Sequence, residues 1–132
     1  MRNNYWLQNK LYQIWELLFP EVPKLNKVNC VFKGKWKNKF GHIAEKGKNT
    51  EIAINSLFKS ELVPEYIIDT TIAHELIHYM HGFNSPLPQQ FRYPHKNGIV
   101  TKELLKRGFG HWERKEKSWL RKEWPKVYKE LT

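Results

Sequence analysis

The run Tyr66-Ile-Ile-Asp-Thr-Thr-Ile-Ala-His-Glu-Leu-Ile-His-Tyr-Met-His81 decides how the rest of the chain is read. It reads as one helix, with Pro64 suited to a first helical position and Gly82 suited to the left-handed residue just past the end. At ~3.6 residues per turn, His74 and His78 stack on one face, where two imidazoles can meet a single ion. Glu75 lies about 100° further round the helix, within reach of water at that ion without being a ligand itself. Neutral imidazole is a good zinc ligand, and two of them leave room for a third ligand and a water. A Lewis acid that acidifies water, beside a carboxylate that takes its proton, is what metal-assisted hydrolysis requires. The neighbours Ile67, Ile68, Ile72, Leu76 and Ile77 are apolar. They predict a largely buried helix, whose polar groups then need partners.

Bulk properties narrow the classes. With 132 residues and 40% hydrophobic content, one domain over 1–132 with a modest core is expected. No apolar run reaches the ~18 residues a membrane span needs, and the first residues lack a signal peptide's apolar stretch. Cys30 is the single cysteine, which excludes an intrachain disulfide and a cysteine-based zinc cluster. An intracellular, reducing compartment and a monomeric chain are expected. The net charge is +10 and uneven: residues 24–48 carry eight Lys and one acid, and residues 102–129 carry ten Lys+Arg and four acids. Basic patches with interleaved Trp and Tyr suit DNA or another polyanion, and otherwise make a solubilising face. The residues concerned are Lys33, Lys35, Lys37 and Lys39, then Arg114, Lys117, Arg121 and Lys122.

Outward from the motif, the pattern predicts an α+β chain. Asn3 or Asn4 can cap a helix over 4–19, with Leu7, Leu11, Ile14, Trp15 and Leu18 as its apolar stripe. Residues 28–32 alternate as a strand, with Cys30 on the face of Val28 and Phe32, as a small buried hydrophobe. Residues 36–44 read as a second strand. Lys33, Lys35, Lys37 and Lys39 then fall on alternate positions opposite Trp36 and Phe40, either a lysine-protected edge or a phosphate-facing track. Residues 50–55 read as a third strand, and short turns between the three predict an antiparallel meander. The proline-rich stretch 83–95 reads as a loop. Residues 98–107 read as a short helix ended by Gly108. Residues 111–131 read as a helical segment interrupted at Pro125.

A catalytic zinc needs a third protein ligand. His81 shares the face of His74 and His78 but lies ~10 Å along the axis from His74, too far for one ion to span easily. His95 returns on the loop, and Glu103 follows on the next helix. Spacing alone favours His95 and leaves Glu103 open, with His81 the least suited of the three.

Ala73-His-Glu-Leu-Ile-His-Tyr79, preceded by Glu51-Ile-Ala-Ile-Asn-Ser-Leu57 and followed by His95-Lys-Asn-Gly98, resembles the SprT-like family, which includes the Spartan proteases. The resemblance covers roughly residues 28–108. It implies a minimal zincin-like metallopeptidase with an HExxH helix, zinc ligands His74, His78 and His95, and Glu75 as general base. Better-studied members of that family act on proteins crosslinked to DNA. The resulting expectation is a zinc-dependent peptidase acting on protein substrates, including DNA-associated ones. Tyr79 and Tyr93 are candidate oxyanion donors, and the substrate strand is expected to add to an exposed sheet edge. Two rival readings stand beside it. One is a non-catalytic nucleic-acid-binding protein with a structural zinc closed by His81 or Glu103. The other is a metal hydrolase acting on a non-peptide bond.

Overall fold

The computed structural model describes residues 1–132. Its elements are α1 (Asn4–Leu18), β1 (Val28–Phe32), β2 (Gly41–Lys46), β3 (Asn49–Ile54), α2 (Glu65–Met80), α3 (Ile99–Lys106), α4 (Gly110–Lys122) and α5 (Trp124–Leu131), giving five helices and one three-stranded sheet. The α+β class follows. No helix is long and apolar enough to cross a membrane.

Capping sets the helix ends. Asn3 accepts from the Trp6 N–H at the start of α1. The end of α2 closes with Gly82 at φ +85°, the Gly82 N–H donating to the Tyr79 carbonyl and the Phe83 N–H to the His78 carbonyl. That paired pattern satisfies carbonyls the helix itself cannot, and it requires the left-handed residue that glycine supplies. Gly108 ends α3 the same way, at φ +87°. The last helical segment breaks at Glu123, so Pro125 stands in the first turn of α5, where its missing N–H costs nothing.

The sheet corrects the expected antiparallel meander. Its order is β1-β3-β2, with β1 parallel to β3 and β2 antiparallel to β3. Residues 33–40 are not strand, and so Lys33, Lys35, Lys37 and Lys39 do not form one ammonium face. The segment leaves β1 at Gly34, φ +77°; the carbonyls of Gly34 and Phe40 accept from the N–H groups of Ser56 and Asn55, and those of Trp36, Lys37 and Lys39 bond to side chains instead of a ladder. The Asn55 amide donates to the carbonyls of Trp36 and Lys39, at 2.7 and 2.9 Å. The Trp124 indole donates to the Lys37 carbonyl at 2.7 Å. With those partners the loop crosses past the position beside β1, and β3 fills it.

One core holds the chain together. The stripe of α1 (Leu7, Leu11, Ile14, Trp15, Leu18) meets Val28, Cys30 and Phe32 of β1, Ile52 and Ile54 of β3, and most of α2 in a single buried cluster. Each fully buried Leu, Ile or Phe there contributes about 1.5–3 kcal/mol. Cys30 is 1% exposed and burial pushes its thiol far above the usual range, so it packs and does not react. Trp124 belongs to the same cluster and contacts Phe40 and Phe58 edge-on, which ties α5 to the sheet end. The outer edge of β1 is sealed by α1: Asn4 and Gln8 accept from the N–H groups of Phe32 and Cys30 at 2.9 and 2.7 Å, and the Gln8 amide donates to the Val28 carbonyl at 2.9 Å.

Candidate metal centre

Helix α2 is buried almost all round, between α1, the sheet, α3 and α4. His74 and His78 stand one turn apart on it, with ring centroids 4.7 Å from one another. His95 reaches them from the loop. Its Nε2 lies 3.0 Å from His78 Nε2 and 3.4 Å from His74 Nε2. The ligand atoms of the three histidines all fall within 4.8 Å of one another, close enough to bind one metal ion. The donor set fits an ion in spacing too. Nitrogens at ~2.0–2.1 Å from a tetrahedral zinc stand about 3.3–3.4 Å apart; the His95–His74 distance of 3.4 Å matches that value, the His95–His78 distance of 3.0 Å is shorter, and no pair in the set exceeds 4.8 Å. Burial, with the neighbouring imidazoles acting in the same direction, pushes His74 down to about 4 and His78 down to about 3. Both rings are therefore neutral at pH 7, the form that binds metal.

The loop reaches this position because the last carbonyls of α2 hold it. Ser85 Oγ donates to the Tyr79 carbonyl at 2.7 Å. The Gln90 side chain donates to the Met80 carbonyl at 3.2 Å, and the Gln90 N–H to the His81 carbonyl at 2.9 Å. Helix ends leave these groups free, and a proline-rich segment with few donors of its own is fastened by the few it has. Gly82 permits the approach, since a Cβ there would meet the Pro88 carbonyl oxygen at 2.4 Å.

A cleft of about 370 Å³ opens at the three histidines, lined also by Glu75, Lys39, Gly41, His42 and Ile43. Glu75 is 5% exposed. Burial pushes its carboxyl up to about 8, with Lys39 acting against the shift and Glu116 adding to it. A cation beside it acts in the lowering sense. Gly41 is where β2 touches α2: a Cβ there would lie 2.8 Å from Thr71 Cγ2 and 3.5 Å from Glu75 Oε2.

The other expected residues divide. His81 and Glu103 stay outside the histidine cluster. His81 is 2% exposed, beside the Phe91 ring, and its Nε2 is 3.9 Å from Glu103 Oε1. Glu103 ion-pairs instead with Arg107, at 2.8 Å. Tyr79 is not at the cleft. It is fully buried, and its hydroxyl donates to Asn26 Oδ1 at 2.8 Å on the core side. Tyr93 lines a separate cavity. Among the basic residues, Lys33 pairs with Glu51 and Lys117 with Glu113, while Lys35, Lys37, Arg114, Arg121 and Lys122 are exposed.

Sequence reasoning passed over Lys39 as a cleft residue, and His42 altogether. Burial, then Lys39 and Lys33, lower the His42 imidazole, and its Nδ1 is buried without a protein partner. The one available signal was Gly41 inside a strand, which often marks a close backbone approach. It also passed over Glu113 and Glu116 of α4, which carry buried oxygens without partners beside α2. Compared with known proteins, the chain matches no family model, no curated sequence and no solved structure.

Proposed function

We propose that this chain is a zinc-dependent peptidase of the SprT-like kind, acting on protein substrates. The observation that carries the reading is the convergence of His74, His78 and His95 in one cleft with Glu75 beside them. In such a site His74, His78 and His95 would hold the zinc. A zinc ion there supplies Lewis acidity, acidifying water and drawing charge from a carbonyl. Glu75 takes the proton of the attacking water on a carboxylate oxygen and returns it to the leaving amine nitrogen. Neutral His42 and cationic Lys39 line the cleft as the donors able to stabilise the developing oxyanion, in place of Tyr79 and Tyr93.

The substrate is read as an extended strand lying along β2. The edge of β1 is closed by Asn4 and Gln8, whereas β2 pairs only with β3 and borders the cleft at Gly41, His42 and Ile43. Backbone pairing fixes register while leaving side-chain choice loose. DNA-associated substrates belong to this reading through the exposed Lys35, Lys37, Arg114, Arg121 and Lys122. The structural-zinc alternative is weaker, since His81 and Glu103, its intended fourth ligands, lie outside the cluster. The test is cleavage of an unstructured protein by zinc-loaded chain, compared with Glu75→Gln carrying equal zinc. Equal cleavage by both would overturn the proposal.

A further inference from the structure

A second cavity, of about 620 Å³, lies against the segment that carries His95. Pro94 and His95 line the metal cleft, while Phe91, Arg92, Tyr93 and Lys96 line this cavity, so residues 91–96 form the wall between the two. The opposite wall is α3, through Ile99, Lys102, Glu103 and Lys106, and the end of α2 contributes His81. The size lies within the roughly 300–1,000 Å³ of small-molecule sites.

Its chemistry is one-sided. Arg92, Lys96, Lys102 and Lys106 face a single acid, Glu103, and that acid is already paired with Arg107 at 2.8 Å. Two rings stand in this positive field, Phe91 at 41% and Tyr93 at 49% exposed. Arg92 and Lys96 sit over the Tyr93 ring at 5.4 and 5.5 Å, which holds both heads at the cavity. Phe91 packs edge-on against His81 and is otherwise open. His81 is 2% exposed, yet its Nδ1 has no protein partner.

We propose that this cavity binds a nucleotide, with the phosphate among Arg92, Lys96, Lys102 and Lys106 and the base against Phe91, and that its occupancy is coupled to metal binding at His95. An arginine fork with lysine point charges suits phosphate, and an exposed aromatic ring gives any base a stacking partner. An acidic peptide would match the charge and leave Phe91 without a planar partner. Coupling follows from the shared wall: a ligand that orders residues 91–96 from one side lowers the cost of holding His95 in place on the other. The coupling rests on the metal reading above; the binding site does not.

The test titrates full-length chain, zinc-free and zinc-loaded, with inorganic phosphate, adenosine monophosphate, a short 5′-phosphorylated single strand and an acidic peptide. Adenosine monophosphate should bind at least about tenfold tighter than phosphate, with amide shifts centred on residues 91–97 and on Lys102 and Lys106. Lys102 and Lys106 are exposed on α3, so Lys102→Glu with Lys106→Glu keeps the fold and should weaken the nucleotide by about tenfold or more. Phe91→Ala should weaken the nucleotide and spare inorganic phosphate. Tighter binding of the single strand names a strand end as the source, and equal binding names the free nucleotide. Zinc should raise nucleotide affinity by the same factor as the nucleotide raises zinc affinity. Wild-type affinity in the double variant, phosphate binding as tightly as the nucleotide, or preference for the peptide would overturn the site. Zinc affinity unmoved by saturating nucleotide would overturn the coupling. The zinc-free titration separates failure of the site from failure of the metal reading.

Discussion

Replacing His95 with alanine separates the metal centre from the fold more cleanly than any other change. His95 is exposed, and its side chain's hydrogen-bonding neighbours are His74 and His78. Its loss should leave the metal-free protein as stable as before. Structural zinc sites are worth about 10–16 kcal/mol over four ligands, or roughly 3–4 kcal/mol for each. His95→Ala should then lose about 10²–10³-fold in zinc affinity. With zinc at 100 times the native dissociation constant, binding stabilises the native chain by about 2.7 kcal/mol. In a chain of this size that raises Tm by about 10 °C. At the same zinc concentration the variant is left with no more than about 0.4 kcal/mol, a shift of 1–2 °C. The control is Glu103→Ala. It should start from a lower Tm, because Arg107 loses its 2.8 Å partner, yet keep the full zinc shift. Thermal melts with and without zinc read both numbers. A full shift in His95→Ala with none in Glu103→Ala would refute the three-histidine site.

Glu75→Gln should retain zinc and fold while losing about 10²–10⁴-fold in hydrolysis; equal turnover per bound zinc would remove Glu75 as the base. Gly41→Ala places a Cβ 2.8 Å from Thr71 Cγ2, and Thr71 is held by its hydrogen bond to the Ile67 carbonyl. It should destabilise by about 1–3 kcal/mol, and an unchanged denaturation midpoint would mean that β2 does not press on α2. Burial, then Glu113, push Glu116 up to about 7, well above the ordinary glutamate value of 4.5. The folded state thus binds this proton more tightly than the unfolded one, and stability falls as pH rises from about 4.5 to about 7. Glu116→Gln should accordingly stabilise the protein at pH 8 by the order of 1–3 kcal/mol and change little at pH 4; equal effects at both pH values would exclude this origin. DNA affinity, measured by anisotropy, should fall with log salt at a slope near −0.9 per phosphate contacted. It should also weaken in Lys35→Glu with Lys37→Glu, and an affinity indifferent to salt would leave those lysines as a solubilising face.

The helices were legible because their signals are local. The stripe of α1, the Asn3 cap, the Gly82 and Gly108 stops and the break near Pro125 need only neighbours within a turn or two. The i, i+4 histidines were legible for the same reason. The third member of the cluster was not, because it depends on where a thirteen-residue loop returns. Spacing set His81 too far along the axis and put His95 ahead of Glu103 without excluding Glu103, and the resemblance named His95. What brings His95 in is long-range: Ser85 and Gln90 bonding to the end carbonyls of α2. Tyr79 misled for a related reason. It adjoins His78 in sequence, yet one residue along a helix turns it about 100°, which puts it in the core against Asn26. Lys39, His42, Glu113 and Glu116 come to the centre from other elements, so no spacing rule could collect them.

The strand order carries the most consequence of anything the pattern concealed. Alternating lysines at 33–39 mimic a strand, and three strands with short turns default to a meander, whose edges would be the first and third strands. Asn55 and Trp124 instead hold the carbonyls of residues 36, 37 and 39, and β2 comes to the edge. With β1 sealed by α1, β2 is the strand left with an unsealed edge, apart from the Asn84 amide on the Ile43 carbonyl. Gly41, which begins β2, lies against Glu75: a Cβ there would stand 3.5 Å from Glu75 Oε2. On the proposed reading, a peptide adding to that edge would run past the carboxylate and the three imidazoles that line the same cleft, whereas one adding to β1 would meet α1. The loop that looked like a lysine track is thus the device that turns a sheet edge toward the metal cleft.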